Sequence, residues 1–216
     1  MREIMTSIKK PELIAKRREQ IMEAAMDLFR AQGYHATTMR QICEKSDVNR
    51  ASIYDYFGGK EDILVFIFKR MMYRSGDFDK GFPEVNISRF KDLEPYIRGV
   101  IHLSWSMHKD LILLLYRETN SLDPDTLQAV LRIESDYTRY VADILRRGLK
   151  LPTMTQDLEM MANTIIYLHA FIPLRGWNMG HLDQADLIDF ILDMLMMKLK
   201  RIKIDIKKKA REGCHV

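Results

Sequence analysis

The chain has 216 residues, of which 47% are hydrophobic, and its 34 lysines and arginines exceed its 30 acidic residues by only four. These values are typical of a globular protein and exclude a disordered chain, which has fewer apolar residues and a larger net charge. No apolar run approaches the roughly 20 residues of a membrane-spanning helix, and two distant cysteines exclude a disulfide framework. We therefore expect a cytoplasmic protein with no membrane partner.

Charge is distributed unevenly along the chain. Residues 1–74 carry 14 lysines and arginines against 10 acids, residues 75–197 carry 12 against 18, and residues 198–216 carry 8 against 2. A basic region attracts polyanions, although an imbalance of this size also occurs on solvated helix faces. For the basic C-terminal tail we favour a solvated, fraying helix end over contact with DNA or an anionic membrane.

Hydrophobic periodicity predicts an all-α fold of about nine helices. Pro173 should kink the penultimate helix. A loop at 75–85, rich in Gly, Asp and Pro, separates a first domain (14–74) from a second domain (75–216). The predicted helices span about 11–32, 38–45, 49–56, 60–74, 89–108, 110–119, 124–148, 156–178 and 184–203.

The first domain contains three helices within about 45 residues, the last two short and joined by a tight turn, which predicts a helix-turn-helix unit. Thr38 and Gln41 form a capping-box pattern, and Asn49 is a strong N-cap for the third helix. The small core of this unit is predicted to consist of Ala24, Ala25, Ile42, Val48, Ile53 and Phe57.

The polar residues around the third helix are suited to DNA. Arg50, Ser52, Tyr54 and Tyr56 can hydrogen-bond bases or phosphates. Thr37 and Thr38 at a helix N-terminus suit a phosphate, and Lys60 suits charge neutralisation of the DNA backbone. Taken singly, the two tyrosines could equally be core aromatics and Lys60 part of a solvated helix start.

Residues 18–64 contain the motifs AA-x-x-LF-x-x-x-GY, TT-x-x-x-I and V-x-x-x-x-IY-x-YF-x-x-KE. This segment closely resembles the N-terminal domain of the TetR/AcrR family of transcriptional regulators. The resemblance implies a DNA-binding homodimer, usually a repressor that a small molecule releases from a double-stranded DNA operator. It also implies a set of DNA-facing positions, which are Thr37, Thr38, Asn49, Arg50, Ser52, Tyr54, Tyr56 and Lys60.

The chain departs from the usual family pattern at three positions of this segment. Asp47 and Ala51 stand where glycine is common, and Asp47 tolerates the left-handed backbone that such a turn needs. Asp55 places a carboxylate on the third helix. Asp55 either accepts from a cytosine amino group or faces away from DNA, and we favour the second.

The second domain holds both tryptophans and most of the tyrosines. Such residues line adaptable apolar pockets, but they also fill ordinary helical cores. Trp105, Tyr137 and His169 are candidate ligand-binding residues. Glu134 and Thr138 are two more candidate ligand-binding residues, because they lie on an apolar stripe of a predicted helix. A carboxylate there needs a polar partner unless the edge of the stripe is exposed to solvent, and we favour a solvent-exposed edge.

The run IESDYTRYVADILRRGLK, followed about 30 residues later by Trp177, resembles the sensor domains of family members that respond to fatty acyl-coenzyme A. The resemblance implies a hydrophobic small-molecule effector, with a fatty acyl-CoA as one candidate, and it adds Trp177 to the ligand-binding residues. Arg146, Arg147 or Lys150 could meet phosphates, although we favour a solvated helix end. The family resemblance further implies a homodimer through the last two helices, which are both strongly apolar.

The sequence offers no catalytic constellation, no phosphate-binding loop and no histidine pair with metal-ligand spacing, so we expect no catalytic residue, no metal and no cofactor. The favoured function is a ligand-responsive repressor. Two alternatives stay open: an all-α ligand carrier or enzyme with a basic head, and a nucleoid or cell-division factor that binds DNA without an effector.

Overall fold

The computed structural model describes residues 11–73, 82, 84–107, 109–119 and 122–212. These residues contain helices and no strand, which confirms the all-α prediction. A short 3-10 helix, Phe90–Asp92, precedes α5. The α-helices are α1 (Pro11–Gln32), α2 (Met39–Ser46), α3 (Arg50–Ile53), α4 (Lys60–Tyr73), α5 (Leu93–Met107), α6 (Lys109–Glu118), α7 (Pro124–Leu149), α8 (Gln156–His169), α9 (Phe171–Met179) and α10 (Gln184–Glu212).

The C-terminal helices differ from the prediction in two ways. The single helix expected over 156–178 is two helices, α8 and α9, which meet at Ala170. The break lies in the turn before Pro173, whose ring has no N–H to donate to the carbonyl of His169, so the expected kink is present as a complete break between two helices. Helix α10 continues to Glu212, well beyond the expected end near residue 203.

The chain divides into two compact units. The first contains the described residues up to 73 together with those of 118–131, and the second contains the described residues of 82–117 and 132–212. The functional boundary predicted at residue 74 stays a prediction. Within the described ranges, no helix is long and apolar enough to cross a membrane.

The first unit is built around the small core that the sequence predicts. All six predicted core residues are at most 8% exposed, and α1 packs against both α2 and α4. Ala24 and Ala25 carry only a methyl group, which lets α2 approach α1 closely. In the second unit α5 packs against α8 and α10, with Leu93, Ile97 and Ile101 fully buried.

Candidate nucleic-acid interface

The turn between α2 and α3 sets the direction of the third helix. Thr38 caps α2: its hydroxyl accepts from the Gln41 N–H at 3.3 Å, while Gln41 Oε1 accepts from the Thr38 N–H at 2.8 Å. Asp47 ends α2 in the left-handed conformation with φ of 52°, the geometry expected for this position. An aspartate therefore serves where the family commonly has glycine.

Helix α3 is a four-residue segment fixed from both sides. Asn49 is its N-cap, and Asn49 Oδ1 accepts from the Ala51 N–H at 2.8 Å. Ile53 is completely buried, so the inner face of α3 is anchored in the core of the first unit. The Asn49 cap and the burial of Ile53 together leave the opposite face of α3 toward solvent.

Four of the predicted DNA-facing residues lie on the exposed surface. Thr38, Asn49 and Arg50 are exposed, and Tyr54 is 53% exposed although it follows directly after Ile53. Ser52 is half-buried. Among the residues that the structure describes, Arg50 has no carboxylate partner, whereas the nearby Arg40 pairs with Glu44 at 2.9 Å. The Arg50 guanidinium is thus available to a phosphate or a base.

The structure does not bring the side chains of Thr37 and Tyr56 to this surface. Thr37 is 1% exposed, and its hydroxyl donates to the Gly33 carbonyl at 2.8 Å. Tyr56 is 9% exposed, and the next residue, Phe57, is 5% exposed. Both positions were expected to face DNA, and both instead contribute to the small unit's interior. A DNA contact by either residue stays a prediction.

Lys60 makes contacts inside the unit that the sequence did not predict. Its ammonium group donates to the carbonyl oxygens of Tyr34 at 2.8 Å and Thr37 at 3.0 Å, and it lies 4.3 Å from the centre of the Tyr34 ring. Burial lowers the pKa of Lys60, an effect that the carboxylates of Glu61 and Glu118 partly offset. Lys60 therefore holds the α1–α2 turn, and its predicted contact with the DNA backbone is untested.

A second contact at the same turn was also missed from the sequence. His35 Nε2 lies 3.0 Å from Glu118 Oε2, where α6 ends. Tyr34, one residue earlier, donates its hydroxyl to Glu61 Oε1 at 3.3 Å, and burial together with Glu61 raises its pKa. Because 83 residues separate His35 from Glu118, no local pattern could have revealed the pair.

In the second unit, three of the predicted ligand-binding residues lie near one another. Trp105 and Tyr137 are buried, and His169 is 8% exposed. The rings of Tyr137 and His169 are 6.1 Å apart, and Trp105 Nε1 donates to the carbonyl of Leu168, the neighbour of His169, at 3.0 Å. We call these three residues the aromatic cluster.

The other three predicted ligand-binding residues have different surroundings. Glu134 is half-buried on α7, where burial raises the pKa of its carboxyl group. The solvent-exposed edge that we favour is therefore only partly present. Thr138 donates its hydroxyl to the Glu134 carbonyl at 2.9 Å. Trp177 on α9 is 79% exposed and lies near the Arg175 guanidinium rather than in the interior.

The basic end of α7 is engaged within the second unit. Arg146 and Arg147 both bind Asp143, at 2.7 and 3.0 Å. Arg146 also donates to the Leu151 carbonyl at 3.2 Å, and Arg147 to the Val85 carbonyl at 3.0 Å. Both arginines are half-buried and engaged, so the solvated helix end that we favoured does not describe them, and a contact of either with phosphates stays untested. In the described part of the chain, no group of three His, Cys, Asp or Glu residues could hold a metal.

Helices α8 and α10 each bury one face and expose apolar residues on the other. Met160 and Tyr167 on α8 and Phe190, Met194 and Met197 on α10 are all at least 45% exposed. A group of large apolar side chains on adjacent helices is typical of a protein–protein interface.

Comparisons with known proteins point in the same direction. Residues 21–65 match the family described as "Bacterial regulatory proteins, tetR family". The chain is 26% identical over 197 residues to the HTH-type transcriptional regulator HbdR of Aromatoleum sp. (strain CIB), covering 87% of this chain and 81% of that protein. It is 25% identical over 183 residues to the fatty acid metabolism regulator protein of Bacillus subtilis (strain 168), covering 82% and 92%.

Solved structures show the same fold. The transcriptional regulator FadR from Bacillus subtilis in complex with stearoyl-CoA has a TM-score of 0.63 at 23% identity, covering 82% of this chain and 97% of that chain. Salmonella enterica GusR has a TM-score of 0.65 at 17% identity, covering 89% and 98%.

Proposed function

We propose that the chain is a TetR-family transcriptional regulator, and that it acts as a homodimeric repressor that a hydrophobic small molecule releases from its operator. The observation that carries the DNA-binding part is the geometry of α3. Ile53 is fully buried and Asn49 caps the helix, while Arg50 and Tyr54 point away from the core. A short, rigid helix with polar outward residues fits the major groove of DNA.

A titration of the protein against its own promoter region tests this part. At two salt concentrations, the native chain should bind the promoter fragment at least 1,000-fold more tightly than unrelated DNA of equal length, a ratio typical of specific regulators. Replacing Arg50 or Tyr54 by alanine should reduce that preference by about 1–3 kcal/mol each. Lys16→Ala, an exposed cation of α1, is the matched control.

Two results would contradict this part. Equal affinity for both DNA fragments would rule out a specific repressor and favour a nucleoid-type factor. Unchanged activity of the Arg50 and Tyr54 variants in cells would favour a carrier or an enzyme with a basic head, because such a protein does not use α3. The named relatives are transcriptional regulators, which supports a non-enzymatic function.

For the effector, we propose a hydrophobic molecule with a fatty acyl-CoA as the first compound to test. The aromatic cluster of Trp105, Tyr137 and His169 supplies buried apolar surface with polar atoms on three helices. The similar FadR structure is a complex with stearoyl-CoA, which supports the choice of compound. The effector would lower operator affinity by changing the separation of the two α3 helices in the dimer.

Thermal unfolding and DNA release test the effector together. A ligand present at 100 times its Kd stabilises the protein by about 2.7 kcal/mol, which is readily measured as a rise in Tm. Stearoyl-CoA should raise the Tm and release the protein from its promoter fragment, and free CoA should do neither. If a panel of apolar ligands leaves both the Tm and DNA binding unchanged, the protein works without an effector.

The homodimer is proposed to form through α8 and α10. Their exposed Tyr167, Phe190 and Met197 would be buried against a second copy, whose α3 would then reach a second half-site. Sedimentation equilibrium should show a dimer at micromolar concentration. A monomer that still binds the promoter specifically would contradict this arrangement.

A further inference from the structure

The side chains at the start of α2 form a network of hydrogen bonds. Gln41 Oε1 accepts from the Thr38 N–H at 2.8 Å, from the Thr38 hydroxyl at 2.9 Å and from Gln32 Nε2 at 3.2 Å. Gln32, the last residue of α1, also donates to the Ala36 carbonyl at 3.2 Å and to the Thr37 hydroxyl at 3.3 Å. The network therefore joins the end of α1 to the start of α2.

Two backbone groups fix the orientation of both glutamine carboxamides. The Thr38 N–H can only donate, so the Gln41 atom that faces it must be the oxygen. The Ala36 carbonyl can only accept, so the Gln32 atom that faces it must be the nitrogen. Gln41 therefore directs its carbonyl oxygen at the protein backbone and its amino group away from the Thr38 N–H.

The hydroxyl groups of Thr37 and Thr38 both use their proton within the network. A hydroxyl group has one hydrogen to donate. The Thr38 hydroxyl donates it to Gln41 Oε1, and the Thr37 hydroxyl donates it to the Gly33 carbonyl at 2.8 Å. Phosphate oxygens only accept, so in this arrangement neither hydroxyl is a donor for a phosphate, although the sequence predicts both residues at that surface.

The Gln41 amino group is the donor that remains. It carries two hydrogens, and in the described part of the chain its one acceptor is Gln32 Oε1, at 3.5 Å. The contact between the two carboxamides is exposed to solvent. The first turn of α2 contains no acidic residue that would repel a phosphate. At least one N–H of Gln41 can thus be donated to a partner molecule.

We propose that Gln41 is a DNA-binding residue, whose amino group donates to an acceptor atom of the operator while Gln32 and Thr38 hold its carboxamide in that orientation. The acceptor is a phosphate oxygen or an oxygen or nitrogen of a base edge, which present the same chemistry to an N–H. Gln32 acts through Gln41 and is a positioning residue. The inference rests on the proposed function and extends its set of DNA contacts.

Gln41→Glu tests the donor without removing the cap of α2. One glutamate oxygen can replace the amide oxygen as the acceptor of the Thr38 N–H, which keeps the capping box, so the Tm should stay the same or rise. The other oxygen replaces the amino group by a negatively charged acceptor. Promoter affinity should therefore fall by roughly 10- to 100-fold. Lys16→Ala, which changes the net charge by the same amount on α1, is the control and should leave promoter affinity close to the native value.

A parallel titration with unrelated DNA of equal length distinguishes the two kinds of acceptor. If the acceptor is a phosphate oxygen, Gln41→Glu should weaken binding to both DNA fragments by a similar factor. If the acceptor belongs to a base, the variant should weaken binding to the promoter more than binding to the unrelated DNA. Both results support a donor at Gln41.

Gln32→Leu tests the positioning role. The substitution removes the amide that holds Gln41 Oε1, so promoter affinity should fall by roughly 2- to 5-fold. In the Gln41→Glu background the same substitution should cause no further loss of affinity, because the donor that Gln32 positions is already absent. Its effect on the Tm should persist in both backgrounds. A merely structural role of Gln32 would lower promoter affinity equally in both.

Three results would overturn the inference. Native promoter affinity of Gln41→Glu would show that the amino group makes no contact with DNA. A lower Tm of Gln41→Glu would show that the carbonyl oxygen does not face the Thr38 N–H. An equal loss of affinity from Gln32→Leu in both backgrounds would show that Gln32 does not act through Gln41. All three leave the repressor intact, whereas a native chain that does not bind its promoter overturns both the inference and the proposed function.

Discussion

Replacement of Lys60 by methionine separates a structural role from a DNA contact. Methionine keeps an unbranched apolar side chain beside the Tyr34 ring but removes the ammonium group that donates to the carbonyls of Tyr34 and Thr37 at 2.8 and 3.0 Å. Two hydrogen bonds to a charged, half-exposed group contribute about 2 kcal/mol together. For a chain of this length, we expect the Tm to fall by about 4–8 °C.

The salt dependence of promoter binding supplies the second readout. Each phosphate contact contributes a slope of about −0.9 to the plot of log K against log salt concentration. Because the Lys60 ammonium is directed at two carbonyls, Lys60→Met should weaken binding at every salt concentration and leave the slope unchanged. Arg50→Met should reduce the slope by about 0.9 per subunit and leave the Tm unchanged.

Lys16→Met, which removes an exposed cation from α1, should alter neither quantity. The reasoning is refuted if Lys60→Met reduces the slope as much as Arg50→Met does while the Tm stays at its native value. That result would assign Lys60 to the DNA backbone, as the sequence alone predicts.

Three further predictions concern single side chains. Gly148→Ala would place a Cβ 2.5 Å from Cδ2 of the fully buried Leu93, so urea unfolding should show that the free energy of unfolding falls by about 1–3 kcal/mol. The control Gly99→Ala, with open space around its Cβ, should be neutral or stabilising. Burial raises the pKa of the Glu134 carboxyl group, so the folded protein binds this proton more tightly than the unfolded chain does, and the contribution of Glu134 to stability rises as pH falls. Glu134→Gln should therefore raise the Tm at pH 8 by more than it does at pH 4. An equal rise at both pH values would contradict this reasoning. Asn49→Ala removes the N-cap of α3 and should weaken promoter binding by about 1 kcal/mol. Asn49→Ser, which can still cap the helix, should recover most of the lost affinity. If Asn49→Ser recovers none of it, the asparagine side chain itself binds DNA.

The sequence was most informative where local chemistry decides the structure. The predicted bounds of α1 are those observed, since Gly33 with φ of 85° ends the helix. The capping pattern of Thr38 and the turn at Asp47 were likewise readable, because each depends on residues only a few positions apart. All six residues of the small core follow from the same helical periodicity.

Predictions that depend on distant parts of the chain were weaker. Thr37 and Tyr56 share motifs with exposed residues, and only the packing of the whole unit shows that their side chains are buried. Tryptophan is a residue type common in apolar pockets, yet the position of Trp177 on α9 leaves it exposed. The contacts of Lys60 and the pair of His35 with Glu118 join segments at least 23 residues apart, beyond any local pattern.

The four-residue length of α3 has a consequence for how such a regulator acquires new targets. Its attachment to the body depends on Ile53 and on the cap at Asn49, and neither is shared with the outward positions Arg50 and Tyr54. Substitutions at the outward positions can therefore accumulate without a folding penalty. Binding preference can diverge between duplicated copies of such a protein while the scaffold beneath stays constant.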